Sequence, residues 1–276
     1  MSKVKWLDNK IVVITGASSG IGKTLAHMLI TKHNCHVIGV GRSEQKMLEF
    51  AKVLGDKSSN FEYQLFDVGV EDNWIKFADY LKDKRPDILI NNAGILPPFA
   101  KFDNQLDDEN LCKNIRSVMD TNFMSVVYSC AYVLPLIEKS DTPALINISS
   151  SAGLCALPGI SIYSASKGAV KNFTESMMFE KNYYVGLVCP GFTKTNIFRN
   201  QKHTTNNKLI NWISTDVDKM VNKIYKGIVR KKKRIVCGLD ARFMDFMYRL
   251  VRTHGIGFCT KILKSSKIEL FEDVFN

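Results

Sequence analysis

The chain has 276 residues, of which 45% are hydrophobic and 24% charged, a balance that excludes a disordered, collagen-like or disulfide-dense protein. Its 38 Lys and Arg exceed its 27 Asp and Glu by 11, but Lys219 to Lys267 alone holds 14 basic and 2 acidic residues. The remainder, with 24 basic and 25 acidic residues, is nearly neutral, so an argument from charge concerns one C-terminal segment only.

In chain order, Met1 to Asp8 lacks the apolar core of a signal peptide. Lys10 to Thr15 is a β-branched run ending in glycines, the pattern of a buried parallel strand. The loop Thr15-Gly16-Ala17-Ser18-Ser19-Gly20-Ile21-Gly22 follows, and then a helical stretch with Ile21, Leu25, Met28 and Leu29 on one face. Glycines permit the tight turn and the approach of backbone N–H groups to a pyrophosphate, and the helix N-terminus adds partial positive charge. Three glycines are a weak signal alone; the strand before and the helix after strengthen it. Gly16, Ser18, Ser19, Gly20, Ile21 and Gly22 are therefore the expected phosphate-binding residues.

His33-Asn34-Cys35-His36 has a metal-like composition but sits at a helix-to-strand turn, and no metal is expected there. The next strand, His36 to Val40, leads into Gly41-Arg42. NAD calls for an acid at that position to bond the ribose 2′-hydroxyl, whereas a small residue followed by Arg leaves room for a 2′-phosphate and offers it a guanidinium fork. The expected cofactor is NADP(H), held at Arg42. Further strands are expected at Phe61–Phe66, Asp87–Asn91, Ala144–Ser149, Tyr184–Cys189 and Arg234–Cys237, with helical patterns between them. Val126 to Ile137 is apolar but too short to span a bilayer, and contains Pro135; it reads as a buried helix. The alternation predicts one α/β domain over 1–276, a single doubly wound Rossmann fold whose parallel sheet has about seven strands and helices on both faces.

Three segments carry chemistry. Asn91-Asn92-Ala93-Gly94 ends the fourth strand, Asn147 to Gly153 ends the fifth, and Tyr163-Ser164-Ala165-Ser166-Lys167 opens a helix. Tyr163 and Lys167, four apart, share a helix face. A free phenol titrates near about 10, too high for proton exchange at neutral pH, and an ammonium one turn away favours the phenolate.

Thr15–Gly22, Asn91–Gly94, Ser150, Tyr163-x-x-x-Lys167 and Pro190-Gly191 stand in the order and spacing of the short-chain dehydrogenase/reductase family, which the chain resembles from about Lys10 to Thr195. Ser150 lies in the register of the family's catalytic serine, thirteen positions before Tyr163, and its neighbours Ser149 and Ser151 do not. The resemblance implies that Tyr163 exchanges a proton with the substrate oxygen and that Ser150 hydrogen-bonds that oxygen. It implies that Lys167 lowers the Tyr163 pKa and holds the nicotinamide ribose. Asn122 matches the family's fourth catalytic residue; on spacing alone it is a polar residue within a long helix. Asp67 and Val68 would contact the adenine, and Asn92 and Ala93, with Gly94 beside them, the adenosine ribose. Pro190 and Gly191 open the loop that would hold the carboxamide, with Thr193 and Thr195 as contacts. The interval between Lys167 and Pro190 is shorter than the family pattern, which leaves the end of that helix open.

The resemblance also implies a homodimer or homotetramer. The substrate loop, about 192–215, holds Ile197, Phe198, Leu209, Ile210, Trp212 and Ile213 in a polar background. With Leu96 to Phe99 and Leu154 to Pro158 it suggests an apolar pocket for a hydrophobic ketone or aldehyde, although these residues equally serve to pack the loop. Beyond Gly238, Phe243, Phe246, Met247, Leu250 and Val251 recur at helical spacing, with Arg242, Arg249 and Arg252 on the other side. Such a helix either lies on an anionic membrane surface or packs on its own domain or a partner subunit. No nucleic-acid recognition motif accompanies the basic run. Seven dispersed cysteines without a C-x-x-C pair suit reduced thiols in a cytoplasmic protein. The expected activity is NADP(H)-dependent carbonyl reduction. The alternatives are a catalytically idle dinucleotide sensor or scaffold, and a membrane-surface reductase of lipid 3-oxoacyl or 3-keto groups.

Overall fold

β-Branched runs form the centre of the sheet. In β1 (Ile11–Thr15) Val12 and Ile14 face one layer of helices and Val13 the other, and all three are inaccessible to solvent. Full burial of such side chains contributes about 1.5–3 kcal/mol each. The structure is a computed structural model that describes residues 5–106, 108–195, 197, 214–265 and 272–275.

β1 is followed by α1 (Gly20–His33), β2 (His36–Gly41), α2 (Glu44–Leu54), β3 (Phe61–Leu65), α3 (Glu71–Leu81) and β4 (Ile88–Asn91). Then come α4 (Leu111–Met119), α5 (Ser125–Ile137), β5 (Ala144–Ile148), α6 (Ser161–Glu180) and β6 (Tyr184–Pro190). The last elements are α7 (Val217–Val229), β7 (Arg234–Cys237), α8 (Leu239–Val251), α9 (Thr253–Ser265) and a short final helix, α10 (Glu272–Phe275). The seven strands form one sheet in the order β3-β2-β1-β4-β5-β6-β7, and every pairing is parallel. The expected doubly wound sheet is therefore present, with strand limits close to those read from the sequence. The winding reverses between β1 and β4, which opens a crevice at the carboxyl ends of those strands.

Leu25 and Leu29 of α1, Phe50 of α2 and Ile224 of α7 cover one face of the sheet. Trp74 of α3, Val133 of α5 and Val170 of α6 cover the other. α6 runs to Glu180, and three residues link it to β6, so the short interval after Lys167 is a tight helix–strand connection. Pro135 falls in the last turn of α5, where the helix is about to end.

At the C-terminus the sequence left the face of the last long helices open. α8 packs through Ala241 and Met244, with Met247 half-buried, while Phe243, Phe246 and Leu250 are exposed. The helix is apolar on more than one side, so its periodicity does not select the packed face. Of the substrate-loop residues, Phe198, Leu209, Ile210, Trp212 and Ile213 lie outside the described residues, as does Lys267 at the end of the basic segment.

Candidate active site

The carboxyl ends of β1, β4, β5 and β6 border a cleft of about 480 Å³. At one end, Gly16 takes the left-handed backbone (φ 68°) that closes the turn after β1. A Cβ on Gly22 would stand 2.4 Å from the Gly16 carbonyl oxygen, so α1 sits directly against the turn. Ser19 is the N-cap of α1, yet its side chain makes no capping bond. The first N–H groups of α1 are thus left for an anion. Gly16, Ser18, Ser19, Gly20 and Ile21 line the cleft, and Gly22 lies behind them. This cradle fits the pyrophosphate of a dinucleotide.

Arg42 follows β2 and Asp67 follows β3; both line the cleft, with Arg42 Nη1 3.6 Å from Asp67 Oδ2. Val68 also lines it, and its carbonyl accepts the indole N–H of buried Trp74 at 2.8 Å. Ser43 and Lys46 join them. Lys46 was missed in the sequence, where the available signal was a second cation within four residues of Arg42.

Thr15 ties the ends of β1 and β4 together. Its Oγ accepts the N–H groups of Asn92 (2.9 Å) and Ala93 (3.0 Å), and the Asn92 side chain donates to the Thr15 carbonyl (2.9 Å). Asn92, Ala93 and Gly94 therefore lie fixed along the middle of the cleft.

The chemical end is built by β5 and α6. Ser150, just past β5, accepts the Ala152 N–H at 3.2 Å. Tyr163 is buried among apolar residues; burial pushes its phenol above the ordinary value, and the hydrogen bond to Ser150 pulls the other way. The expected lowering of this phenol by Lys167 is not present in this arrangement. Both groups are buried, and desolvation dominates each. Lys167 Nζ lies 6.0 Å from the Tyr163 ring centre and donates to the Ile148 carbonyl at 3.1 Å. Burial brings the Lys167 pKa down to about 8.

Asn122 is fully buried behind the cleft, in a π-helical turn (Asp120–Met124) between α4 and α5. Its Oδ1 accepts the Ile95 N–H (2.8 Å), and its Nδ2 donates to the Ile95 carbonyl and the Ser166 hydroxyl (both 3.0 Å). The wider turn aims Asn122 inward from an otherwise continuous helix, and neighbouring Thr121 reaches the cleft.

Pro190 ends β6, and Pro190, Gly191, Thr193 and Thr195 line the cleft. The loop is held from outside: Phe192 N–H donates to Asp240 Oδ2 at 2.6 Å, and Thr193 bridges to Thr215. Leu96, Phe99, Leu157, Ile160 and Ile197 line an apolar end beside Tyr163.

The four residues at the turn after α1 have structural partners. His33 bonds Asp8 and Tyr225, Asn34 is the left-handed cap, Cys35 is buried and donates to the Leu7 carbonyl, and His36 bonds Glu62. No group of three His, Cys, Asp or Glu suited to a metal occurs among the described residues. All seven cysteines are free thiols.

Residues 10–206 match the short chain dehydrogenase family. The 11-beta-hydroxysteroid dehydrogenase A of Sesamum indicum is 32% identical over 214 residues, covering 75% of this chain and 59% of that protein. The 3beta-hydroxysteroid dehydrogenase of Mediterraneibacter gnavus is 30% identical, over 68% of this chain and 67% of that protein. Among solved structures, a short-chain dehydrogenase of Sphingobium yanoikuyae in complex with NADPH superposes with a TM-score of 0.71 at 26% identity, covering 94% of this chain and 96% of that one.

Proposed function

The chain belongs to the short chain dehydrogenase family, and from that premise we propose that it is an NADP(H)-dependent oxidoreductase that reduces a hydrophobic ketone or aldehyde to the alcohol. The observation that carries this reading is the convergence of Ser150, Tyr163 and Lys167 at one end of the cleft that holds Arg42 at the other. The glycine turn and the free N-terminus of α1 would hold the pyrophosphate. Asp67 and Val68 would flank the adenine, Asn92 and Ala93 the ribose, and Thr193 and Thr195 the carboxamide. Arg42, with Lys46 beside it, would take the 2′-phosphate, and the NADPH complex of the Sphingobium enzyme supports that choice.

When bound, the nicotinamide supplies the hydride. The remaining chemistry falls to the chain. Tyr163, kept as the phenol by burial, is in the state needed to donate a proton to the carbonyl oxygen. Ser150 donates a hydrogen bond to that oxygen as it gains charge. Lys167, at about 8, is close enough to neutral to pass on the proton that Tyr163 must regain. Asn122 fixes Ile95 and Ser166 from behind. The apolar end formed by Leu96, Phe99, Leu157 and Ile160 suits a hydrophobic substrate, and the hydroxysteroid dehydrogenase relatives support the same class. A dinucleotide sensor needs none of this proton-transfer apparatus. A homodimer or homotetramer is part of the proposal.

NADPH consumption across a panel of ketones, aldehydes and 3-oxoacyl compounds tests the reading. Turnover of a hydrophobic member that is lost in Tyr163→Phe is expected, and absence of turnover with every member overturns it.

A further inference from the structure

α8 and α9 each show apolar residues on two sides. Inward, Met244 and Cys259 are buried against the cluster that contains Leu96, Phe99 and Ile160, so these helices wall the apolar end of the cleft. Outward, Leu239, Phe243, Phe246 and Leu250 recur at spacings of four, three and four, a single helical stripe. They are 82%, 43%, 60% and 64% exposed. Phe258 and Ile262 of α9 extend the stripe, with the Phe243 and Phe258 ring centres 6.4 Å apart.

The charges around the stripe are sorted. Arg242, Arg249, Arg252, Lys261 and Lys264 are exposed. The two acids of these helices point away from the stripe: Asp240 accepts from Phe192 N–H, and Asp245 pairs with Arg234 and Arg249. No helix among the described residues is long and apolar enough to cross a membrane.

We propose that this outer face docks on the surface of an anionic phospholipid bilayer, with α8 and α9 lying in the plane of the interface. Phe and Leu side chains would enter the boundary between head groups and acyl chains, while Arg and Lys stems reach the phosphates around them. Charge selects this occupant over a second copy of the chain, because a two-fold contact would bring two basic rims together. On the reading that the substrate is a hydrophobic carbonyl compound, docking sets the wall of its pocket against the lipid in which such a compound resides.

Co-sedimentation with vesicles tests the proposal without reading turnover, so it stands or falls apart from the catalysis. The intact chain is expected to sediment with mixed phosphatidylcholine and phosphatidylglycerol vesicles at low salt and to stay in solution with phosphatidylcholine alone. Removing two surface charges in Lys261→Ala/Lys264→Ala should weaken binding by about tenfold or more, since each cation near such a surface contributes about fivefold. Phe246→Ser/Leu250→Ser should lose binding with an unchanged thermal melt. An intact chain that stays free of anionic vesicles overturns the proposal, as do variants that bind like it. Conversion of a dimer to a monomer by Phe246→Ser/Leu250→Ser, with vesicle binding unaltered, also overturns it and assigns the face to a second copy.

Discussion

Arg42 and Asp67 face each other across the ends of β2 and β3, Nη1 to Oδ2 at 3.6 Å, with 66% and 44% of their side chains exposed. A pair this open to water contributes little to stability, about 0–1 kcal/mol. Its members are thus available to a ligand at small cost. On the proposed reading, a 2′-phosphate would meet Arg42 already oriented, with Lys46 nearby. Replacing Arg42 by Ala should weaken NADPH binding by about tenfold or more, the scale of a charge-assisted hydrogen bond, and leave NADH binding almost unchanged. Fluorescence titration of both nucleotides checks this, and equal losses would refute the 2′-phosphate assignment.

Tyr163→Phe removes one hydroxyl from a buried site without changing the ring. Turnover should fall by about 10²–10⁴-fold, the usual contribution of a positioned acid or base, while the dissociation constant for NADPH stays near that of the parent. A variant with parental turnover would remove Tyr163 from the chemistry.

Lys167 gives stability a pH signature. Its pKa is lowered from 10.5 to about 8 by burial, so between these values the unfolded chain holds a proton that the folded chain has released. Stability from this group therefore rises with pH across that window, by at most about 3 kcal/mol. Below pH 8 the buried ammonium is a standing cost. In Lys167→Met this rise should vanish, so the stability difference between the two proteins should grow in favour of the parent from pH 8 to 10.5. Urea unfolding at several pH values measures it; parallel pH profiles would show that Lys167 does not titrate in this range.

Gly191 and Asp240 are in van der Waals contact, and a Cβ on Gly191 would stand 2.2 Å from both carboxylate oxygens. Gly191→Ala should therefore destabilise the chain by about 1–3 kcal/mol, as overpacking does, and weaken NADPH binding through the loop. Trimming the opposing side in Gly191→Ala/Asp240→Ala should recover part of the stability loss. A thermal-melt double-mutant cycle with no coupling between the two sites would contradict the contact.

The strands were legible because β-branched runs between glycines leave few other structures open. Tyr163, Lys167 and Ser150 were legible as a spacing. What escaped depends on tertiary placement. On spacing alone Asn122 reads as one polar residue in a helix, and only the family resemblance singled it out; its inward aim comes from a π-helical turn that no local pattern announces. The Arg42–Asp67 pair joins two strand ends 25 residues apart. The packed face of α8 stayed open in the sequence because Phe and Leu residues on the opposite side outweigh Ala241 and Met244 in apolar content.

Asp240 stands in the first turn of α8, yet it grips Phe192 on the loop after β6. Its Oδ1 is buried without a hydrogen-bond partner among the described residues, and its Oδ2 holds the loop through Phe192. α8 is in effect the long arm of a lever whose short arm touches the loop after β6. A force applied along the outer surface of that helix reaches the loop through the 2.6 Å bond to Phe192 and the contact with Gly191, so a shift of α8 is felt in the loop.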